Sequence, residues 1–105
     1  MKRITSDLVY NCSHRGAAQR LETIREVVAV LLREAKVDKV PTFGGENLLF
    51  PESDDLERRV AASVEASLRW YFPEREFSFT WVPEPLSDTE NPFGFLGRFV
   101  LEERG

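Results

Sequence analysis

The segment that decides the fold is residues 53–82, which read SDDLERRVAASVEASLRWYFPEREFSFTWV. Its first half carries apolar side chains at intervals of four and three, the spacing of one buried helix face. Pro73 must end this helix, because the residue before a proline avoids the helical region. The charged turn Glu74-Arg75-Glu76 then leads into the alternating stretch 77–82, which predicts a strand. A helix and a strand joined so directly should set the shape of the domain.

The same spacing predicts which faces of these two elements are buried. We expect a capping-box-like helix start, in which Glu57 follows Asp54 by three residues and the carboxylates at 52, 54, 55 and 57 stay solvated. In the strand, one set of alternate side chains should face the helices and the other set should face away. The predicted buried residues are Leu56, Val60, Val64, Leu68, Tyr71, Phe77, Phe79 and Trp81, with Ala61 and Ala66 allowing close approach of a neighbour.

The rest of the chain supplies a second helix and two further strands. Apolar residues recur at steps of four and three from Ala17 to Ala35, which predicts an amphipathic helix. Residues 4–10 predict a short strand within an N-terminal arm (1–15), 37–40 a very short strand in an irregular segment, and 98–102 a last strand paired with 77–82. We therefore predict one α+β domain over residues 1–105, with two amphipathic helices packed on a small antiparallel sheet and a C-terminal β-hairpin.

Composition and charge narrow the class of protein. Apolar residues make up 42% and charged residues 30%, which argues against overall disorder, and the longest apolar run, residues 27–32, is far too short to span a membrane. The single Cys12 fits a reducing compartment, and without a recognisable signal peptide we expect the chain in the cytoplasm. The net charge of −4 divides into +3 over residues 1–40 and −7 over residues 41–105. This balance disfavours nucleic acid and favours oriented docking to a protein partner.

Residue types that carry chemistry are sparse in this chain. Cys12 and His14 could form a nucleophile–base pair, but no motif supplies an orienting group or an oxyanion donor, so a turn at 11–16 is the better interpretation. Glu74 and Glu76 flank Arg75, where we expect a local ion pair. The Phe-Gly-Gly-Glu at 43–46 lacks the Lys and Ser/Thr of a phosphate-binding loop. We therefore expect no enzymatic activity, no metal site and no cofactor.

Most aromatic side chains of the chain are predicted to lie in the core. Three apolar residues near the C-terminus differ from them. Phe93, Phe95 and Leu96 lie in a Pro/Gly-flanked segment with nothing evident to pack them. An exposed apolar group of this kind marks a protein interface. The sequence leaves both interface and core open for these residues.

One ordered series of features runs through most of the chain, from about residue 21 to residue 102. The first helix leads to a Pro-x-aromatic-Gly step, an apolar triplet, the second helix, an aromatic exit with a turn rich in Pro, Glu and Arg, and a closing β-hairpin. The residues are Leu21, Ile24, Val28, Leu31 and Leu32, then Pro41-Thr42-Phe43-Gly44, Leu48-Leu49-Phe50, and Phe72-Pro73-Glu74-Arg75. This series resembles the tail-sheath initiator (baseplate wedge) family of contractile phage tails, which has a relative in the type VI secretion baseplate. The family has Glu before Pro in the turn, whereas this chain has Pro before Glu.

The resemblance implies a non-enzymatic structural subunit, present in multiple copies in a symmetric assembly, in the host cytoplasm during assembly and then in the tail baseplate. It would dock on baseplate wedge proteins, with the Glu74-Arg75 turn as the contact, and initiate sheath assembly by strand addition at an exposed edge, either 4–10 or 98–102. Together with Phe93 and Phe95 of the apolar segment described above, the predicted partner-binding residues are Phe43, Gly44, Phe72, Glu74, Arg75, Arg98 and Val100. The alternative is a small acidic binding protein, such as an immunity protein or a phage-encoded inhibitor, that masks a cationic partner site.

Overall fold

The computed structural model describes residues 2–5, 8–13, 16–37, 55–84 and 95–104. Along the chain lie strands β1 (Lys2–Thr5) and β2 (Val9–Cys12), helices α1 (Ala17–Glu34) and α2 (Asp55–Tyr71), and strands β3 (Glu76–Pro83) and β4 (Phe95–Arg104). All strand pairs are antiparallel. This arrangement confirms the predicted α+β class, with two helices, a small antiparallel sheet and a C-terminal strand pair.

Strand β4 is the centre of the sheet. Its residues 97–104 pair with β3 on one side, and β1 and β2, placed end to end, pair with it on the other side. The prediction that residues 98–102 form an open edge is therefore wrong. Both sides of this strand are already hydrogen-bonded, because the N-terminal segment, which is distant from it in sequence, pairs with the side that β3 does not occupy.

The N-terminal segment forms two strands, whereas the sequence predicted a single strand over residues 4–10. The register on β4 shifts between Arg3 and Thr5, and pairing resumes at Val9. Asn11 and Cys12 also pair with β4, so the predicted turn at 11–16 begins later than expected. The predicted strand at 37–40 is not tested, because residues 38–40 lie outside the described residues.

The core lies between the two helices and the inner face of the sheet. Four predicted residues of α2 (Leu56, Val60, Val64 and Leu68) are buried, as are Phe77, Phe79 and Trp81 of β3. Ala66 and Tyr71 are exposed, so these two predictions are wrong. Tyr71 is the last residue of α2, and it is Phe72, beyond the helix, that packs edge-on against Phe77 with ring centroids 6.3 Å apart.

An aromatic cluster joins three strands inside this core. Phe99 of β4 contacts Phe79, Trp81 and Tyr10 with ring centroids 5.7, 4.9 and 5.5 Å away. Gly97 makes this packing possible, since a Cβ at that position would lie 2.4 Å from the Trp81 ring. Among the described residues, neither helix has the length and apolar character needed to cross a membrane.

The end of α1 is closed by a Schellman-type turn. Lys36 adopts a left-handed conformation with φ of 58°. The Val37 N–H then donates to the Leu32 carbonyl at 2.9 Å, and the Lys36 N–H donates to the Arg33 carbonyl at 3.0 Å. The Val37 side chain is buried beside the helix end. The turn leaves the Ala35 carbonyl as an acceptor for a distant side chain.

A buried ion pair ties α1, α2 and β2 together. Arg20 Nε donates to Glu57 Oε1 at 3.0 Å, Arg20 Nη2 donates to Glu57 Oε2, and the Tyr10 hydroxyl donates to Glu57 Oε1 at 2.8 Å. Both charged side chains are fully buried. Burial and the Glu57 carboxylate raise the pKa of Tyr10 far above its usual value. The expectation that Glu57 is a solvated helix cap is wrong, because its side chain lies on the core side of α2.

Candidate functional site

Arg75 is the most tightly held side chain in the turn between α2 and β3. Its Nε donates to Glu103 Oε2 at 2.7 Å and its Nη2 to Glu103 Oε1 at 3.0 Å, a bidentate pair. Nη2 also donates to the Ala35 carbonyl at 3.0 Å. The expected local pair with Glu74 or Glu76 is wrong, since the guanidinium reaches across to β4 and to the end of α1. Arg75 thus connects three parts of the fold that are distant in sequence.

Two aromatic rings lie close to the Arg75 guanidinium. Its guanidinium carbon lies 4.5 Å from the Phe77 ring centroid and 5.8 Å from that of Phe72. The hydrogen bond to Glu103 raises the pKa of Arg75. The side chain nevertheless keeps 27% of its surface exposed, and Glu74 beside it is exposed. The charged group is therefore held in place while one side still faces solvent.

A cleft of about 520 Å³ opens next to this turn. It runs between the C-terminal end of α2 and the first residues of β3. Three arginines and one glutamate contribute charge to its walls, and Arg104 Nη1 lies 3.5 Å from Glu76 Oε2 across the strand pair. The lining residues are Arg69, Pro73, Arg75, Glu76, Phe77, Ser78 and Arg104.

The outer edge of β3 is largely closed to another strand. The Phe79 N–H donates to Glu65 Oε1 at 3.0 Å, so this amide points away from β4. Backbone groups alternate in direction along an antiparallel strand, so residues 77, 79, 81 and 83 all turn outward. The Phe77 N–H is bonded to the Arg75 carbonyl at 3.1 Å, and Pro83 has no N–H. Three of the four outward positions therefore cannot donate to an added strand.

The outer edge of β2 differs from that of β3. The Glu84 N–H donates to the Leu96 carbonyl, so the backbone groups of Leu96 point toward β3. Because the direction alternates along the strand, the backbone groups of Gly97 point toward β2. Tyr10 and Cys12, the partners of Gly97 and Phe95, thus direct their backbone groups to β4. The backbone groups of Val9 and Asn11 turn outward. No strand among the described residues pairs with that side of β2.

Arg98 and Val100, both predicted to bind a partner, lie on the sheet face opposite the helices. Arg98 pairs with Val9 on one side and Val82 on the other, and both valines are more than 40% exposed. Arg98 Nε donates to Glu84 Oε1 at 2.6 Å. Val100 is buried on this face. These residues do not share a face with Arg75.

Phe95 occupies a third position, on the inner face at the start of β4. Its ring is partly buried against the core, and the Arg20 guanidinium carbon lies 3.5 Å from its centroid. Leu96 is half-buried on the outer face. Three further predicted residues (Phe43, Gly44 and Phe93) lie outside the described residues. The nine predicted partner-binding residues therefore do not form one site where the structure describes them.

Cys12 is buried in β2 on the core side, with 2% of its surface exposed, and His14 lies outside the described residues. Within the described ranges, no three His, Cys, Asp or Glu side chains are grouped so that they could hold a metal ion. The Trp81 Nε1–H is buried and has no hydrogen-bond partner in the same ranges. Its ring covers Gly97, which accounts for its burial by packing.

Comparison of the chain with protein-family models, with curated proteins and with solved structures finds no match.

Proposed function

We propose that this chain is a non-enzymatic structural subunit of a contractile-tail baseplate, which docks on wedge proteins and initiates sheath assembly through strand addition. The proposal starts from the resemblance of residues 21–102 to the tail-sheath initiator family. The observation that supports it best is a difference between the two outer edges of the sheet, one formed by β3 and the other by β2. At the β3 edge, three of the four outward residues have no N–H group left to donate to an added strand, whereas Val9 turns its backbone N–H and C=O outward at the β2 edge.

Strand addition at β2 has a clear physical basis. An incoming strand gains main-chain hydrogen bonds from outward N–H and C=O groups, and its alternate side chains give the specificity. On the outer face it would lie beside the exposed side chain of Val9. The shortage of N–H donors at the β3 edge would favour growth from the β2 edge, as a subunit that starts an ordered sheath in one direction requires.

Arg75 is the proposed contact with the wedge. A guanidinium fixed by Glu103 and the Ala35 carbonyl needs little ordering when a partner carboxylate or carbonyl approaches its open side. The cleft beside it offers room for a partner side chain. In this arrangement wedge and sheath bind different parts of the domain, so the domain can bridge them.

The alternative, an acidic protein that masks a cationic site, depends on free carboxylates in the C-terminal part. Glu57, Glu84 and Glu103 are each bound to an arginine of the same chain. These contacts reduce the acidic surface that the described residues can offer. The baseplate proposal is therefore the one we develop.

A substitution at the β2 edge tests strand addition. Val9→Pro removes the outward N–H but leaves the bonds of Tyr10 and Cys12 to β4, whereas Val9→Ala keeps the N–H and shortens the side chain. Sheath polymerisation on purified wedge–tube complexes should fail with Val9→Pro and proceed with Val9→Ala. Urea unfolding of both variants checks the fold. Normal sheath assembly with folded Val9→Pro would contradict strand addition at β2.

A further inference from the structure

The N-terminal segment lies on β4 in two different registers. In β1, Arg3 faces Glu102. Continued without a break, that register would place Val9 opposite Leu96, but Val9 faces Arg98, two residues away. The segment therefore uses two pairings with β4 that differ by two residues. We call the observed pairing of β2 the native register, and the pairing that would continue from β1 the shifted register.

The apolar pattern of β2 does not by itself distinguish the two registers. A shift by two residues keeps every side chain on its own face of the sheet, whereas a shift by one would reverse them all. Leu8, Tyr10 and Cys12 alternate along the segment, and all three are apolar or aromatic. In the shifted register Leu8 would take the place of Tyr10 opposite Gly97. Leu8 already packs against the core, so this exchange leaves an apolar side chain inside.

A buried polar contact does distinguish the two registers. The Tyr10 hydroxyl donates to Glu57 Oε1 at 2.8 Å, and Arg20 binds the same carboxylate. The two helices supply the carboxylate and the guanidinium, so the acceptor is fixed by residues outside the sheet. A shift of two residues moves Tyr10 by about 7 Å along the strand, out of reach of Glu57. Leu8 has no donor to replace it, and the buried oxygen would lose a hydrogen bond that water does not restore.

We propose that the buried group of Tyr10, Arg20 and Glu57 is a register lock for β2. The ion pair holds a carboxylate at one position in the core, and only the native register brings a hydroxyl to it. The polar group thus selects one pairing of two, a role that apolar residues of similar volume would not perform. The lock does not rest on the baseplate function. Its effect on sheath growth does, because a shifted β2 would move the outward N–H of Val9 by the same distance.

Engineered cysteine pairs read the register directly, in a full chain that also carries Cys12→Ala. Val9 and Arg98 face each other without mutual hydrogen bonds, a geometry in which Cα atoms lie about 4.5 Å apart and a disulfide can form. Val9→Cys with Arg98→Cys therefore reports the native register, and Val9→Cys with Leu96→Cys reports the shifted register. Oxidation by glutathione disulfide is followed by mass spectrometry. With Tyr10 present, we expect the native-register pair to cross-link at least tenfold faster than the shifted-register pair.

Two backgrounds remove the lock. Tyr10→Phe removes only the hydroxyl and keeps the ring, whereas Tyr10→Phe, Arg20→Met and Glu57→Leu together remove the whole polar group. In each background, the shifted-register pair should cross-link at least tenfold faster than it does with the lock intact. Glu65→Gln is the matched control, since it neutralises another carboxylate of α2 and leaves the lock in place. This control should not change the rate of either pair.

Urea unfolding of each background separates the lock from a general loss of stability. A folded Tyr10→Phe or triple variant in which only the native-register pair cross-links would overturn the proposal, because the apolar and aromatic contacts would then suffice to set the register. Equal acceleration of both pairs would also overturn it, since that result indicates that β2 detaches rather than shifts. None of these measurements uses sheath or wedge proteins, so their outcome is distinct from that of the Val9→Pro test.

Discussion

Two arginine–glutamate pairs in this domain have the same chemistry and different surroundings. In both, a guanidinium binds a carboxylate through two nitrogens and lies over an aromatic ring: Arg20 over Phe95, and Arg75 over Phe77. The Arg20–Glu57 pair is fully buried, whereas Arg75 and Glu103 keep 27% and 22% of their side-chain surface exposed. The buried pair can affect only the fold itself, whereas the surface pair can also contact a partner protein.

This difference determines what each pair contributes to stability. A charge left alone in the core keeps its full desolvation cost, so loss of one member of a buried pair is severe even where the intact pair adds little. Near the surface, water replaces a lost partner and the effect is small. The comparison therefore separates a pair that the fold requires from a pair that a partner can use.

The largest expected effect follows from breaking the buried pair on one side. Arg20→Met should lower the free energy of unfolding by about 3–5 kcal/mol, because the Glu57 carboxylate remains buried without its cation. Urea denaturation measures the change. Replacing the whole group with apolar residues (Tyr10→Phe, Arg20→Met and Glu57→Leu together) should recover most of the loss. A triple variant as unstable as Arg20→Met alone would show that the unpaired charge is not the cause.

Alkaline pH should act on the same buried group through Tyr10. Its pKa is raised in the folded state, so above about pH 10 the unfolded chain releases the phenolic proton while the folded chain keeps it. The contribution of Tyr10 to stability is complete below that pH and then falls by about 1.4 kcal/mol per pH unit. Unfolding of the protein and of Tyr10→Phe should be compared from pH 8 to pH 11. The same alkaline slope in Tyr10→Phe would assign the loss to other groups.

Breaking the surface pair should matter much less for the fold. Arg75→Ala should lower the free energy of unfolding by about 1 kcal/mol, the usual range for partly exposed ion pairs. Under the proposed function, the same variant should lose co-purification with the wedge proteins while remaining folded. Arg75→Lys is the matched control, since it keeps the charge but cannot form the bidentate pair. Retained wedge binding by Arg75→Ala would contradict the proposed contact.

The smallest expected effect concerns the helix end that supports Arg75. Lys36 has a positive φ, which costs a residue with a Cβ roughly 1 kcal/mol or more. Lys36→Gly should remove that strain and lose part of the gain to the greater entropy of the unfolded chain, for a net stabilisation of about 0.5 kcal/mol. Thermal unfolding can detect it. A destabilised Lys36→Gly, against an unchanged Lys36→Arg control, would show that the Lys36 side chain contributes more than its backbone strain costs.

Periodic parts of the fold were predictable from the sequence. The stripes on both helices and the alternation of Phe77, Phe79 and Trp81 are local patterns that one buried face imposes on neighbouring residues. The exposure of Trp70 was not predicted, although it lies one helical turn after Ala66, which is also exposed.

Non-local contacts were not predictable in the same way. The central position of β4 depends on pairing with Lys2–Thr5 and Val9–Cys12, and Arg75 binds Glu103 and the Ala35 carbonyl, which no local pattern indicates. The buried pair did leave a signal. Arg20 lies four residues before Ile24 and Glu57 lies four before Ala61, so each helix carries one opposite charge on its buried stripe.

The most direct measurement is a matched one: urea unfolding of Glu57→Gln and of Glu103→Gln at neutral pH. The chemical change is identical, and only the surroundings differ. We expect Glu57→Gln to lower the free energy of unfolding by about 3 kcal/mol or more and Glu103→Gln by about 1 kcal/mol or less. Equal losses, or a larger loss for Glu103→Gln, would contradict the division between a pair required by the fold and a pair left for a partner.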